Sequence, residues 1–251
     1  MDLHSLFGLS GRRALVTGGS SGIGRGIARA LAAAGAEVIV AARGSDRVDE
    51  TVEEIRMEGG LAAGIVADLS SRAGCHELAD RAGDIDILVN SAGINIRPPL
   101  AELDEQSWDA TMAVNLDAPF ILGQRLAPGM IERGYGRIIS ISSQQASRAF
   151  ASSGAYGASK AALEGLARSQ AEAWSASGVT SNVLVPGFVL TRLNERLASD
   201  PDVVTALAAR TFVGRNGRAD DFAAAAIFLA GPGSAYVTGQ AIAVDGGFSV
   251  H

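Results

Sequence analysis

The sequence predicts an α/β fold, a doubly wound seven-stranded parallel sheet with helices on both faces. Three observations predict it. Short β-branched runs alternate with longer alanine-rich stretches of helical spacing along the whole chain. A glycine-rich turn joins the first such run to the first helical stretch. Apolar residues make up 47% of 251 residues, enough for one large core. Alternating strands and helices imply right-handed βαβ crossovers and a parallel sheet covered on both sides.

Residues 14–17 read as a buried strand, after which Ile23, Ile27, Ala30, Leu31 and Ala34 recur at helical spacing. Gly35 fits the helix stop, and residues 37–42 the second strand. Further strands are expected at 63–67, 85–89, 136–142, 179–185 and 240–244, and helices at 46–58, 105–133, 156–177 and 219–230. Pro128 is expected to kink the long helix, because proline removes a helix hydrogen bond. No repeat or linker divides the chain, so residues 1–251 read as a single domain. The least regular stretch, 186–218, follows a strand and reads as a substrate loop or lid.

Composition excludes several classes. The net charge is −6 and the twenty arginines are dispersed, unlike the basic stripe of a nucleic-acid binder. No apolar run approaches the roughly 18 residues of a membrane span, and the start lacks the pattern of a secretory signal. Cys75 stands alone, which fits a reducing cytoplasm. His4, His76 and His251 are isolated, so neither a metal site nor a hydrolase triad is expected.

The turn Thr17-Gly18-Gly19-Ser20-Ser21-Gly22-Ile23-Gly24 lets backbone amides approach a pyrophosphate at a helix N-terminus. Three glycines at such spacing are common by chance; the position between a strand and an amphipathic helix is what points to a dinucleotide. The second strand ends at Ala41-Ala42-Arg43, with Arg47 beyond and no carboxylate before Asp46. An arginine there suits a 2′-phosphate, so NADP(H) is favoured over NAD(H).

The only lysine, Lys160, lies four residues after Tyr156. On a helix that spacing shares a face, and the ammonium is expected to lower the phenol pKa. A tyrosine so tuned serves as a general acid or base.

Together these motifs resemble the short-chain dehydrogenase/reductase family in its plain single-domain Rossmann form. Thr17 to Gly24 matches its glycine turn, Asp68 its adenine-contacting acid, and Asn90-Ser91-Ala92-Gly93 its Asn-Asn-Ala-Gly segment with Ser91 as a departure. Ser143 precedes Tyr156 by the family's thirteen residues, Pro186-Gly187 with Thr191 matches its nicotinamide-lining segment, and Val244-Asp245-Gly246-Gly247 its ending. The resemblance implies an oxidoreductase acting on CH–OH groups, with hydride transfer between nicotinamide and a carbonyl or secondary alcohol. It implies Tyr156 as proton donor and acceptor, Ser143 as oxyanion partner, Lys160 as ribose anchor and Asn115 as holder of a relay water. Cofactor contacts are implied at Gly18, Ser20, Ser21, Gly22, Ile23, Gly24, Arg43, Asp68, Leu69, Asn90, Ala92, Gly93, Pro186, Gly187, Val189 and Thr191, besides Tyr156 and Lys160. A homotetramer is implied as well.

The segments that reach substrate in this family carry Asn95, Arg97, Gln144, Gln145, Arg148, Arg192 and Asn194, with Phe150 and Phe188 as walls. Arg97, Gln145, Arg148 and Phe188 are the expected substrate contacts, and Arg97 or Arg148 the expected partner of a carboxylate. The set suits a small polar substrate, a sugar acid or polyol. The start Ser5-Leu6-Phe7-Gly8-Leu9-Ser10-Gly11, Gly93-Ile94-Asn95-Ile96-Arg97, and Arg210-Thr211 leading to Gly214-Arg215-Asn216-Gly217 resemble the family's gluconate 5-dehydrogenase and 2-deoxygluconate 3-dehydrogenase groups. A 3-oxoacyl-acyl-carrier-protein reductase, for which Arg133 would meet the acidic carrier, is the enzymatic alternative. A non-catalytic dinucleotide sensor is the other.

Overall fold

The computed structural model describes residues 2–250, with the side chains of Arg192, Arg196 and Ala198 outside the described set. Its elements begin with a short helix α1 (Leu3–Phe7), then β1 (Arg13–Thr17), α2 (Gly22–Ala33), β2 (Glu37–Ala42), α3 (Ser45–Met57) and β3 (Leu61–Val66). There follow α4 (Arg72–Ala82), β4 (Ile87–Asn90), α5 (Glu105–Met112), α6 (Ala118–Glu132), β5 (Gly136–Ile141), α7 (Gly154–Trp174) and β6 (Val179–Pro186). The chain closes with α8 (Glu195–Ala198), α9 (Pro201–Ala209), α10 (Ala223–Ala230) and β7 (Ala241–Val244).

The seven strands pair in the order β3-β2-β1-β4-β5-β6-β7, and every pairing is parallel. The chain therefore winds outward from β1 to β3, then returns to β4 on the other side of β1. A reversal of this kind opens a crevice at the carboxyl ends of the two central strands. There the register sets Thr17 beside Asn90 and Asn90 beside Ser140.

Strand period explains the two cores. Val16, Val38, Val40 and Val89 face the side covered by Ile27, Leu31 and Leu229. Leu15, Ile39 and Leu88, one residue out of phase, face Leu78, Leu122 and Met130. Because both faces are covered, the central strands read as apolar runs rather than alternating ones.

Three stretches differ from the sequence reading. The helix expected over 105–133 is interrupted by a π turn at Ala113–Asp117, while α6 runs through Pro128. Its irregularity thus lies around Asn115, where a side chain captures neighbouring backbone (below). Helix α4 was not expected: it is poor in large apolar residues but buries Cys75, Leu78, Ala79 and Ala82 at i, i+3, i+4 and i+7. Ser71 caps it by accepting from Gly74 N at 3.1 Å. Within 186–218 lie a 3₁₀ turn, Arg192–Asn194, and α8 and α9. Asp200 caps α9, accepting from the amides of Asp202 and Val203, and Pro201 occupies its first turn.

Candidate active site

A cavity of about 810 Å³ opens at the carboxyl edge of the sheet, over the β1/β4 crevice. At one end its floor is the turn after β1. Gly18 has φ +66°, and a Cβ there would stand 2.8 Å from Ala92 N. A Cβ on Gly24 would meet Gly18 O at 2.4 Å. Both glycines are thus required for the close approach of helix, turn and neighbouring loop. Ser21 caps α2 without a side-chain hydrogen bond, and Ser20, Ser21, Gly22, Ile23 and Gly24 line the cavity. The first-turn amides of a twelve-residue helix are thereby presented to an anion, as a pyrophosphate requires.

Arg43 and Arg47 line the cavity at the end of β2, with Asp68 and Leu69 after β3. Asp68 is the only carboxylate among the lining residues, and it accepts from Ser70 N at 3.0 Å. Thr17 ties the two central strands: its hydroxyl accepts from the amides of Ser91 and Ala92, both at 3.2 Å, and donates to Val89 O at 3.3 Å. The Asn90 amide donates to Ser140 Oγ at 3.3 Å, and its Oδ1 is buried with no partner in the protein.

Tyr156 and Lys160 come from the first turns of α7, and Ser143 from the loop after β5; all three line the same cavity. Lys160 is buried and donates to Ile141 O at 2.8 Å. Desolvation pulls its pKa from 10.5 to about 8. Its ammonium nitrogen lies 5.6 Å from the Tyr156 ring centroid. Burial pushes the Tyr156 phenol above its ordinary value, against the opposing pull of the Ser143 hydroxyl and the Arg97 charge. The expected lowering by Lys160 is therefore not found: burial dominates the phenol, and Ser143 and Arg97 are what oppose it. The reason is physical: a lysine that discharges near 8 is neutral before the phenol ionises.

Asn115 is fully buried and lies behind the cavity wall rather than on it. Its Oδ1 accepts from Ile94 N at 2.9 Å, while Nδ2 donates to Ile94 O at 3.0 Å and Ser159 Oγ at 3.1 Å. Ser159 in turn donates to Tyr156 O at 2.7 Å. The side chain is spent on structure, joining the π turn to the loop after β4 and to the Tyr156 helix.

At the far end, Arg97, Gln145 and Phe188 line the cavity as expected, with Asn95, Gln144, Phe150 and Asn194. Arg97 donates to Ala151 O at 2.5 Å, and Gln145 Oε1 accepts from Ser153 at 2.7 Å. Arg148 does not line it, nor do Asn90 and Asn115, whereas Ala92, Gly93, Pro186, Gly187, Val189 and Thr191 do. The Arg192 side chain lies outside the described residues. Sequence reasoning did not place Val203, Leu207, Arg210 or Phe248 on the cavity, although Arg210 belongs to the Arg210-Thr211 resemblance; all four line this end. The first three follow helical spacing after Asp200-Pro201, a start signal legible in the sequence. Phe248 offered no such signal, because the C-terminal turn returns to the site only through tertiary pairing of β7 with β6.

Other candidate chemistry does not materialise among the described residues. No cluster of three His, Cys, Asp or Glu side chains is placed to hold a metal. Burial pushes the Cys75 thiol up to about 11, an inert position. Arg133 binds Asp84 and Asp86 at the opposite, amino-terminal edge of the sheet, away from the cavity mouth. No helix is long and apolar enough to cross a membrane.

Comparison with known proteins places the chain in a wide group. The family model described as enoyl-(acyl carrier protein) reductase matches residues 18–249. Gluconate 5-dehydrogenase of Gluconobacter oxydans (strain 621H) is 39% identical, covering 100% of this chain and 99% of the relative. Galactitol 2-dehydrogenase (L-tagatose-forming) of Cereibacter sphaeroides is 38% identical over all of both chains, 100% and 100%. The crystal structure of a gluconate 5-dehydrogenase from Burkholderia cenocepacia J2315, in complex with NADP and tartrate, has a TM-score of 0.92 at 40% identity and covers 100% of each chain.

Proposed function

The chain belongs to the short-chain dehydrogenase/reductase family, and from that premise we propose that it is an NADP(H)-dependent dehydrogenase of sugar acids or polyols. The observation that carries the reading is the convergence of Tyr156, Lys160 and Ser143 in a cavity continuous with the dinucleotide cradle. Bound nicotinamide supplies the hydride chemistry. The protein supplies the rest. Tyr156 exchanges a proton with the substrate oxygen, and its raised pKa keeps it a proton donor at neutral pH. Ser143 donates a hydrogen bond to the same oxygen as charge develops. Lys160 leaves Ile141 O to anchor the ribose. Asn115 holds the π turn and the Tyr156 helix in register.

Arg43 and Arg47, with no carboxylate at the end of β2 among the lining residues, support NADP(H) over NAD(H). Names of the relatives support polyhydroxylated substrates, as does tartrate, a hydroxy dicarboxylate, in the Burkholderia complex. The chain acts as one catalytic unit in which 186–218 serves as the substrate lid. A cytoplasmic location suits its dependence on that cofactor pool. Exposed Trp108 and Phe120 on α5 and α6 support assembly as a homotetramer.

A substrate panel tests the reading. Purified protein is assayed with NADP+ and NAD+ against D-gluconate and galactitol, and with NADPH against an acetoacetyl thioester. Turnover of a sugar acid or polyol with NADP+ is expected. Turnover of the thioester alone would establish the acyl-carrier reading instead, and tight cofactor binding without turnover would establish a sensor.

A further inference from the structure

The cations of the cavity are unevenly explained. Arg43 and Arg47 belong to the end of β2, Arg97 acts on Tyr156, and Lys160 stands beside it. Arg210 lines the cavity too, at the C-terminal end of α9, and has no assigned task. Among the described residues it forms no ion pair, and the one lining carboxylate, Asp68, belongs to the loop after β3. Its guanidinium carbon sits 4.2 Å over the Phe248 ring, a contact that fixes a cation without neutralising it.

The ring is itself firmly placed. Phe248 is 2% exposed and stacks on Phe150 with centroids 6.5 Å apart. The turn that carries it is pinned by Asp245, which accepts from Gly247 N at 2.9 Å, Ser249 N at 2.8 Å and Gln144 Nε2 at 3.1 Å. Phe212 N, two residues beyond Arg210, donates to Gly246 O at 2.8 Å. So the end of α9, the C-terminal turn and the loop carrying Ser143 form one wall.

We propose that Arg210, held on Phe248, is a specificity-determining residue that binds the carboxylate of a sugar acid whose carbinol lies at Tyr156. The inference rests on the dehydrogenase reading above and narrows it from polyols in general to their acids. It takes the place of Arg148, which does not line the cavity, as the alternative to Arg97 for that carboxylate. A guanidinium fixed in a wall where the Asp245 carboxylate is taken up by Gly247 N, Ser249 N and Gln144 Nε2 favours a bidentate pair with an anion. A neutral polyol gains nothing from it.

Steady-state kinetics of Arg210→Met, Arg210→Lys and Phe248→Leu with D-gluconate and galactitol, using NADP+, test the assignment. Arg210→Met is expected to raise KM for gluconate about tenfold or more, with a smaller effect on kcat, and to lower the gluconate-to-galactitol ratio of kcat/KM by a similar factor. Arg210→Lys should recover part of that ratio, and Phe248→Leu should lower it less than Arg210→Met. NADP+ affinity within twofold of wild type reports that each variant is folded. Equal losses on both substrates, or none, would overturn the assignment and leave a cap for the end of α9. A loss confined to an acyl-carrier thioester would also overturn it. Failure of the wild-type protein on both polyhydroxylated substrates would instead remove the dehydrogenase reading beneath it.

Discussion

Lys160 is a lysine in a chain that otherwise uses arginine, and its surroundings explain why. The site is buried and holds one carbonyl acceptor at 2.8 Å, a poor match for a planar fork of five donors. Lys160→Arg should therefore lose about 100-fold or more in kcat despite keeping the charge; near-normal turnover would refute the role given to the lysine. Burial also makes a stability prediction with a definite sign. The unfolded chain holds this proton to about 10.5, the native protein only to about 8. Between those values the unfolded state binds more protons, so stability rises with pH. Below 8 both states are protonated and the slope vanishes. Cys75, displaced upward from 9 to about 11, works in the opposite sense above pH 9, and Tyr156 does so above its ordinary value of 10. The clean window is pH 8 to 9, where cofactor-free protein should gain about 1 kcal/mol in denaturant titrations. Lys160→Met should remove that gain. The raised phenol pKa has a kinetic counterpart: alcohol oxidation should climb with pH into the alkaline range, while carbonyl reduction should not.

At the scale of elements, the interruption between α5 and α6 and the helix α9 matter most. Asn115 makes three hydrogen bonds from a fully buried amide. Asn115→Ala leaves both backbone groups of Ile94 without their partner, and should cost about 2–3 kcal/mol in denaturant titration as well as activity. For α9, Asp200→Ala removes the cap and should cost about 1 kcal/mol locally. Faster amide exchange across 201–209 and a KM effect larger than the kcat effect would register it. These two elements also mark what the sequence made legible. Every strand was, because buried parallel strands carry their own β-branched signature and their glycine, proline or polar boundaries. So were Tyr156, Lys160, Ser143 and the glycine turn, since their chemistry depends on local spacing. The π turn was not: it arises from a side chain on one helix reaching a loop twenty-one residues away, which periodicity does not register. Arg148 and Arg210 show the same limit. Both are arginines in segments that border the site, and only packing against Phe248 decides which of them faces it.

For the whole molecule, the β1/β4 reversal gathers both halves of the site at one sheet edge, adenosine end and reacting end alike. Removing the positive charge at one end should then alter cofactor choice without disturbing the other. Arg43→Ala with Arg47→Ala should lower the NADP+ to NAD+ ratio of kcat/KM by about 10- to 100-fold, the worth of a charge-assisted contact. The rate with saturating NAD+ should change little. Assembly is testable by light scattering at micromolar concentration, where a mass of four chains is expected and a monomer would contradict it. The cavity is expected to move a hydride between nicotinamide and a carbinol carbon of a polyhydroxylated acid or polyol. Mass spectrometry of the cofactor after incubation of NADP+ with carbinol-deuterated gluconate or galactitol tests it most directly. Deuterium should appear in the reduced nicotinamide with the wild-type protein and be lost with Tyr156→Phe. Its absence from the nicotinamide with every such substrate, at saturating NADP+, would contradict the account.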